Sequence, residues 1–125
     1  MDIFGTVVNA ISLAKDLKKL VDGIKGAPAV VATLGERVGE VHTLLENVNQ
    51  RLVNCSANDR GTYLPLLSNI ETRLESSKMT IGKWIREDGT IKLRDRLVVF
   101  WNSPDFAHIQ QDIDHHMVVL TLITA

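Results

Sequence analysis

The segment "DIDHHM" near the end of the chain holds the densest set of residues able to do chemistry. Asp112 and His116 are four apart and His108 lies one turn earlier, so on a helix all three share one face, as metal ligands can. The triplet Asp114-His115-His116 matches a short motif of metal-dependent phosphoesterases, but those enzymes hang further carboxylates on strand ends, and this chain has no strand pattern to supply them. A helical metal bundle needs matching Glu and Glu-x-x-His pairs on other helices, and His42 with Glu46 is the only hint of one. His108, His115 and His116 therefore read as solvated or capping residues. Cys55 is the only cysteine, which excludes an internal disulfide and a cysteine-based zinc cluster, and nothing in the sequence supplies a partner to activate its thiol. No G-x-x-x-x-G-K, G-x-G-x-x-G or H-E-x-x-H string is present. The expectation is a protein that is not an enzyme and carries no cofactor and no metal.

The elements that would position these residues are helical. "MDIFGTVVNAISLAKDLKKLVDGIKG" opens the chain with no charge from Ile3 to Ala14. Asp2 is placed to cap a helix. Asn9, Ser12, Asp16 and Lys19 make a narrow polar stripe, while Ile3, Phe4, Val7, Val8, Ile11, Ala14, Leu17, Leu20, Val21 and Ile24 cover most of the rest. So wide an apolar surface predicts a helix covered on more than one side. Gly26, Ala27 and Pro28 end it. A second helix is predicted from about Pro28 to Asn54, with Val31, Leu34, Val38, Val41, Leu45, Val48 and Leu52 in steps of three and four. Gly35 and Gly39 within it read as a local thinning of its surface.

"CSANDRG" reads as a polar loop over Cys55 to Gly61, with a third helix from about Thr62 that places Tyr63, Leu66, Leu67, Ile70 and Leu74 on one face. Met79, Ile81, Trp84 and Ile85 extend that helix or form a short one of their own. "REDGT" breaks the chain at Asp88-Gly89, and "IKLRDRLVVFW" reads as a fourth helix. "SPDF" starts the last one, with Ser103 as N-cap, Pro104 at the first position and Asp105 in the first turn, followed by Phe106, Ile109, Ile113, Met117, Leu120 and Ile123. The expected fold is all-α: a single up-and-down bundle of four to five helices with short loops, spanning 1–125, with Leu45, Leu67, Leu97 and Ile113 inside.

Composition narrows the function classes. Apolar residues at 45% and charged residues at 23% argue for a folded domain, and a net charge of −1 with only 5% aromatics argues against nucleic-acid binding. Asp2 precedes the first apolar run and the lysines follow it, the reverse of a secretion signal. That run is about half the roughly 20 residues a membrane span needs, so a cytoplasmic protein, soluble at rest, is expected. Lys78, Lys83, Arg86, Lys92, Arg94 and Arg96 fall between the third and last helices, whereas the last helix carries Asp105, Asp112 and Asp114 and no Lys or Arg. These read as solvated faces, with pairing between copies or contact with anionic lipid as the interaction alternative.

The opening "MDIFGTVVNAISLAKDLKKLVDGIKGAP" and the closing "LRDRLVVFWNSPDFAHIQQDIDHHMVVLTLIT" together resemble the HeLo-like N-terminal domains of fungal NLR-like (STAND) receptors. The resemblance covers nearly the whole chain and rests on helix order and apolar cadence. It implies a bundle set ahead of a nucleotide-binding oligomerisation module and a repeat-type sensor, acting as a cell-death effector. Oligomerisation would free the first helix to attack a membrane, and the positions carrying that role over are Ile3, Phe4, Val7, Val8, Ile11 and Leu13. The partners so implied are further copies of the chain, other proteins and, on activation, membrane lipid. The alternative is a soluble homotypic or heterotypic adaptor domain without membrane activity.

Overall fold

The computed structural model describes residues 2–92 and 99–125. Within them lie four α-helices, α1 (Ile3–Asp22), α2 (Ala29–Leu52), α3 (Ala57–Trp84) and α4 (Pro104–Thr124), and one turn of 3₁₀ helix, Phe100–Asn102. The protein is an all-α bundle. α1 packs along both α2 and α3, α2 also carries α4, and α4 touches α3 more lightly.

α1, α3 and α4 each begin where a side chain satisfies a free backbone N–H group, whereas α2 starts after Pro28 with no side-chain cap. Asp2 accepts from the Gly5 amide at 2.7 Å, and Ser103 accepts from the Phe106 amide at 3.2 Å, with Pro104 following it. All seven apolar positions predicted for the second helix are buried, as are Leu67 and Ile113. Leu97 lies outside the described residues.

Three expectations need correction. α3 begins at Ala57, not near Thr62, because Ser56 caps it by accepting from the Asp59 amide at 3.1 Å. The polar residues of "CSANDRG" are a cap and a first helical turn as much as a loop, and Pro65 consequently sits inside the helix. The helix then runs unbroken to Trp84, but Leu66 and Met79 are exposed, because the buried stripe passes through Leu67, Ile70, Leu74, Ser77, Ile81 and Trp84. Finally, the ends of "IKLRDRLVVFW" are not α-helical. Ile91 forms an isolated antiparallel bridge with Ile85, and Phe100 and Trp101 enter the 3₁₀ turn; residues 93–98 lie outside the described part.

The bridge closes a tight turn over "REDGT". Gly89 adopts φ +86° there, and the Asp88 carboxylate accepts from both the Thr90 amide and hydroxyl. Those bonds, the side-chain one foremost, hold the Asp88 carboxyl below its usual range. The turn docks on the α1–α2 connection, where the Gly89 carbonyl accepts from the Lys25 amide at 3.0 Å. Beyond it, Phe100 packs against Trp84 and edge-on against Phe106, and the Trp84 indole donates to Asp105 at 2.8 Å, pinning the start of α4 to the end of α3.

Candidate functional site

The first helix is the element on which the functional expectation rests. Its buried stripe is Ile3, Val7, Ala10, Ala14, Leu17 and Val21, flanked by Thr6 and Leu13. Of the six candidate membrane-contacting residues, Ile3, Val7 and Leu13 are therefore core, Phe4 and Ile11 are partly buried against the core, and Val8 is 56% exposed. The six do not form one surface. They divide between the bundle interior and its skin.

α1 is held mainly by apolar packing. Across to other helices its side chains make few polar ties: Asn9 to Glu71 at 2.8 Å, Asp16 to Lys78 at 3.1 Å, and the Lys18 ammonium to the Gly35 carbonyl at 3.3 Å. The Gly35–Gly39 pair is where α2 meets α1. A side chain at Gly35 would run into Asp22, and one at Gly39 would press on the Lys18 stem. The thinning read from the sequence is thus a close approach of two helices. At the opposite end, the Arg60 guanidinium lies 5.1 Å from the centre of the Phe4 ring and donates to the Leu52 and Val53 carbonyls. Arg60 ties the start of α1 to the α2–α3 corner. Placed in a loop by its polar neighbours, it gave no sequence signal of that role.

The histidine face is split by burial. His108 lines a shallow cleft of about 200 Å³ between α3 and α4, together with Arg73, Ser76, Ser77, Thr80, Asp105 and Asp112. His115 is exposed. His116 does not reach the cleft. Contrary to the expectation of a solvated or capping residue, it is 0% exposed, and neither ring nitrogen has a hydrogen-bond partner among the described residues. Burial pushes its pKa down to about 4. The spacing did hold the signal: Ile109, Ile113, His116, Leu120 and Ile123 step by four, three, four and three, a stripe that passes through His116 and leaves Met117 at its edge. No three His, Cys, Asp or Glu side chains among the described residues are grouped to hold a metal ion. His42 pairs with Glu46 on its own helix at 3.2 Å, and Cys55 is half-buried just past the end of α2.

The charged faces are largely used within the chain. Asp114 pairs with Arg37, Asp112 lies 3.7 Å from Arg73, and Asp105 accepts from Trp84. Among the basic residues, Lys78 pairs with Asp16 and the Lys92 ammonium donates to the Gly82 carbonyl; Arg94 and Arg96 lie outside the described residues. No described helix is long and apolar enough to cross a membrane. No family model, curated protein or solved structure matches the chain.

Proposed function

We propose that this chain is the N-terminal signalling domain of a larger receptor of the fungal NLR-like (STAND) kind, cytoplasmic at rest, which acts by oligomerising and delivering its first helix to a membrane. The observation that carries the proposal is the way α1 is held. Its attachment is an apolar stripe with few polar ties, and the attached helix has no charge from Ile3 to Ala14. Such a helix exchanges one apolar environment for another, a bilayer or a neighbouring copy, without stranding buried polar groups. Clustering would supply the drive, since several short helices acting together can disturb a bilayer that one cannot span.

The burial of Ile3, Val7 and Leu13 favours the second reading, a soluble adaptor whose first helix never leaves the core, because releasing α1 empties the centre of the bundle. The two readings part under forced clustering. Fused to a multimeric scaffold, the domain is expected to release dye from anionic liposomes. Val8→Glu with Ile11→Glu is expected to abolish release, since a charge in a bilayer costs several kcal/mol. Val8 is exposed and Ile11 only partly buried, so the pair is expected to leave the resting fold intact, with helicity and melting measured alongside. Intact liposomes with clustered, folded wild-type protein would remove the membrane reading and leave the adaptor.

A further inference from the structure

His116 lies in the core on the inward stripe of α4, and both ring nitrogens are without partners among the described residues. A neutral imidazole there leaves one donor and one acceptor unmet. A protonated one would leave two donors and a charge unmet in the same apolar site. The charged groups that bear on it are Asp112 and His115 from α4 and Arg73 from α3; on the α2 side Arg37 is paired with Asp114, and Lys18 of α1 with Glu36 and Glu40 of α2 line the surface groove beside Met117. Asp112 favours the cation, but its carboxylate is already paired with Arg73, and Arg73 and His115 both oppose it. The docked helix accepts only the neutral ring.

We propose that His116 is a proton-sensitive latch for α4: the helix docks with a neutral imidazole and leaves the bundle when that imidazole takes up a proton. The packing lets α4 undock in acid without dismantling the rest of the bundle, an opening separate from the release of α1 on clustering. α1 is clasped between α2 and α3, whereas α4 rests chiefly on α2 and only lightly on α3. Its side-chain ties to those helices are the pairs of Asp114 with Arg37 and Asp112 with Arg73, and the Trp84–Asp105 bond at its first turn.

The direction of the pH effect follows from the docked and free states. A solvated histidine titrates near 6.5, whereas burial holds His116 down to about 4. As pH falls from about 6.5 to about 4 the freed helix binds a proton that the docked helix refuses, so docking weakens through that window and is fully retained above it. From these values the opening equilibrium of α4 rises about tenfold between pH 7.5 and 5.5, and roughly sevenfold more by pH 4.5.

Amide hydrogen exchange, corrected for the intrinsic pH dependence of the chemistry, reads this directly. In the wild-type chain the α4 amides are expected to lose about tenfold in protection between pH 7.5 and 5.5 while the α1 and α2 amides hold theirs. His116→Leu and His116→Gln, neither of which titrates, are expected to flatten the α4 response to less than about twofold; His108→Gln, at an exposed position, is expected to leave it unchanged. Equal responses in wild type and the His116 variants would overturn the latch, as would loss of α1 and α2 protection in step with α4. The imidazole is also followed in the unsubstituted protein by its Cε1–H resonance. A ring that is neutral in the docked state at pH 5.5 supports the proposal, and one titrating near 6.5 while docked contradicts it.

Discussion

Val7 and Val8 are neighbours on α1 with opposite surroundings, the first 0% and the second 56% exposed. Truncating each to alanine removes the same two methyl groups from the same helix. The gain in helix propensity from valine to alanine, roughly half a kcal/mol, is common to both and cancels in the comparison. At Val7 the lost groups are fully buried. At about 0.8 kcal/mol each, with a further cost for the space left behind, the penalty is about 2 kcal/mol before the propensity gain. At Val8 the packing loss is within about 0.5 kcal/mol. The two variants should therefore differ by about 2 kcal/mol in urea unfolding. In a domain of this size that corresponds to roughly 6–10 °C between their melting temperatures, with Val8→Ala at or above wild type. Values within about 0.5 kcal/mol of each other would refute the docking of α1 by this face, and with it the assignment of Val8 as the residue free for outside contact.

Ser103→Ala should cost about 1 kcal/mol in chemical denaturation, because Ser103 accepts from the Phe106 amide at the start of α4. Gly89→Ala and Gly82→Ala should move in opposite directions. At Gly89, φ is +86° and a methyl group would strike the Gly23 carbonyl, so a loss of more than about 1 kcal/mol is expected in thermal melts. At Gly82, inside α3, a methyl group meets nothing within 4 Å, so a gain of roughly 0.5–1 kcal/mol is expected.

The helices were legible wherever spacing and capping agreed. The seven apolar residues of α2 recur in threes and fours and are all buried, and "SPDF" marks the start of α4 to the residue. Legibility failed where one residue type serves two structures. Serine, asparagine and aspartate populate turns and helix starts alike, so the Ser56 cap was hidden inside a string that reads as loop. Hydrophobicity alone also ranked apolar residues too evenly. Val8 and Leu66 sit one position and Met79 two positions away from their helices' buried stripes, and only the strict three-four register separates them from Val7, Leu67 and Ile81. His116 is the reverse case, a polar type on the buried register, where the spacing was the better guide than the chemistry. The α1 face was visible as apolar from the sequence. Its division into core and skin was not, because that depends on how α2 and α3 clasp it, and the Gly35–Gly39 approach that fixes α2 against it requires both helices in place.

The central claim is that α1 must leave the bundle to act. Asn9 on α1 and Glu71 on α3 meet at 2.8 Å on the protein surface, so cysteines at these two positions, in a Cys55→Ser background, can be joined by a short reducible thiol cross-linker. The cross-linked domain, clustered on its scaffold, is expected to keep its helicity and leave anionic liposomes intact. Cleaving the linker with reductant, with the protein still clustered and folded, should restore dye release to the level of the unlinked variant. Equal leakage before and after cleavage would show that α1 acts without leaving α3 and would contradict the account, and so would no leakage from the clustered, folded domain in either state.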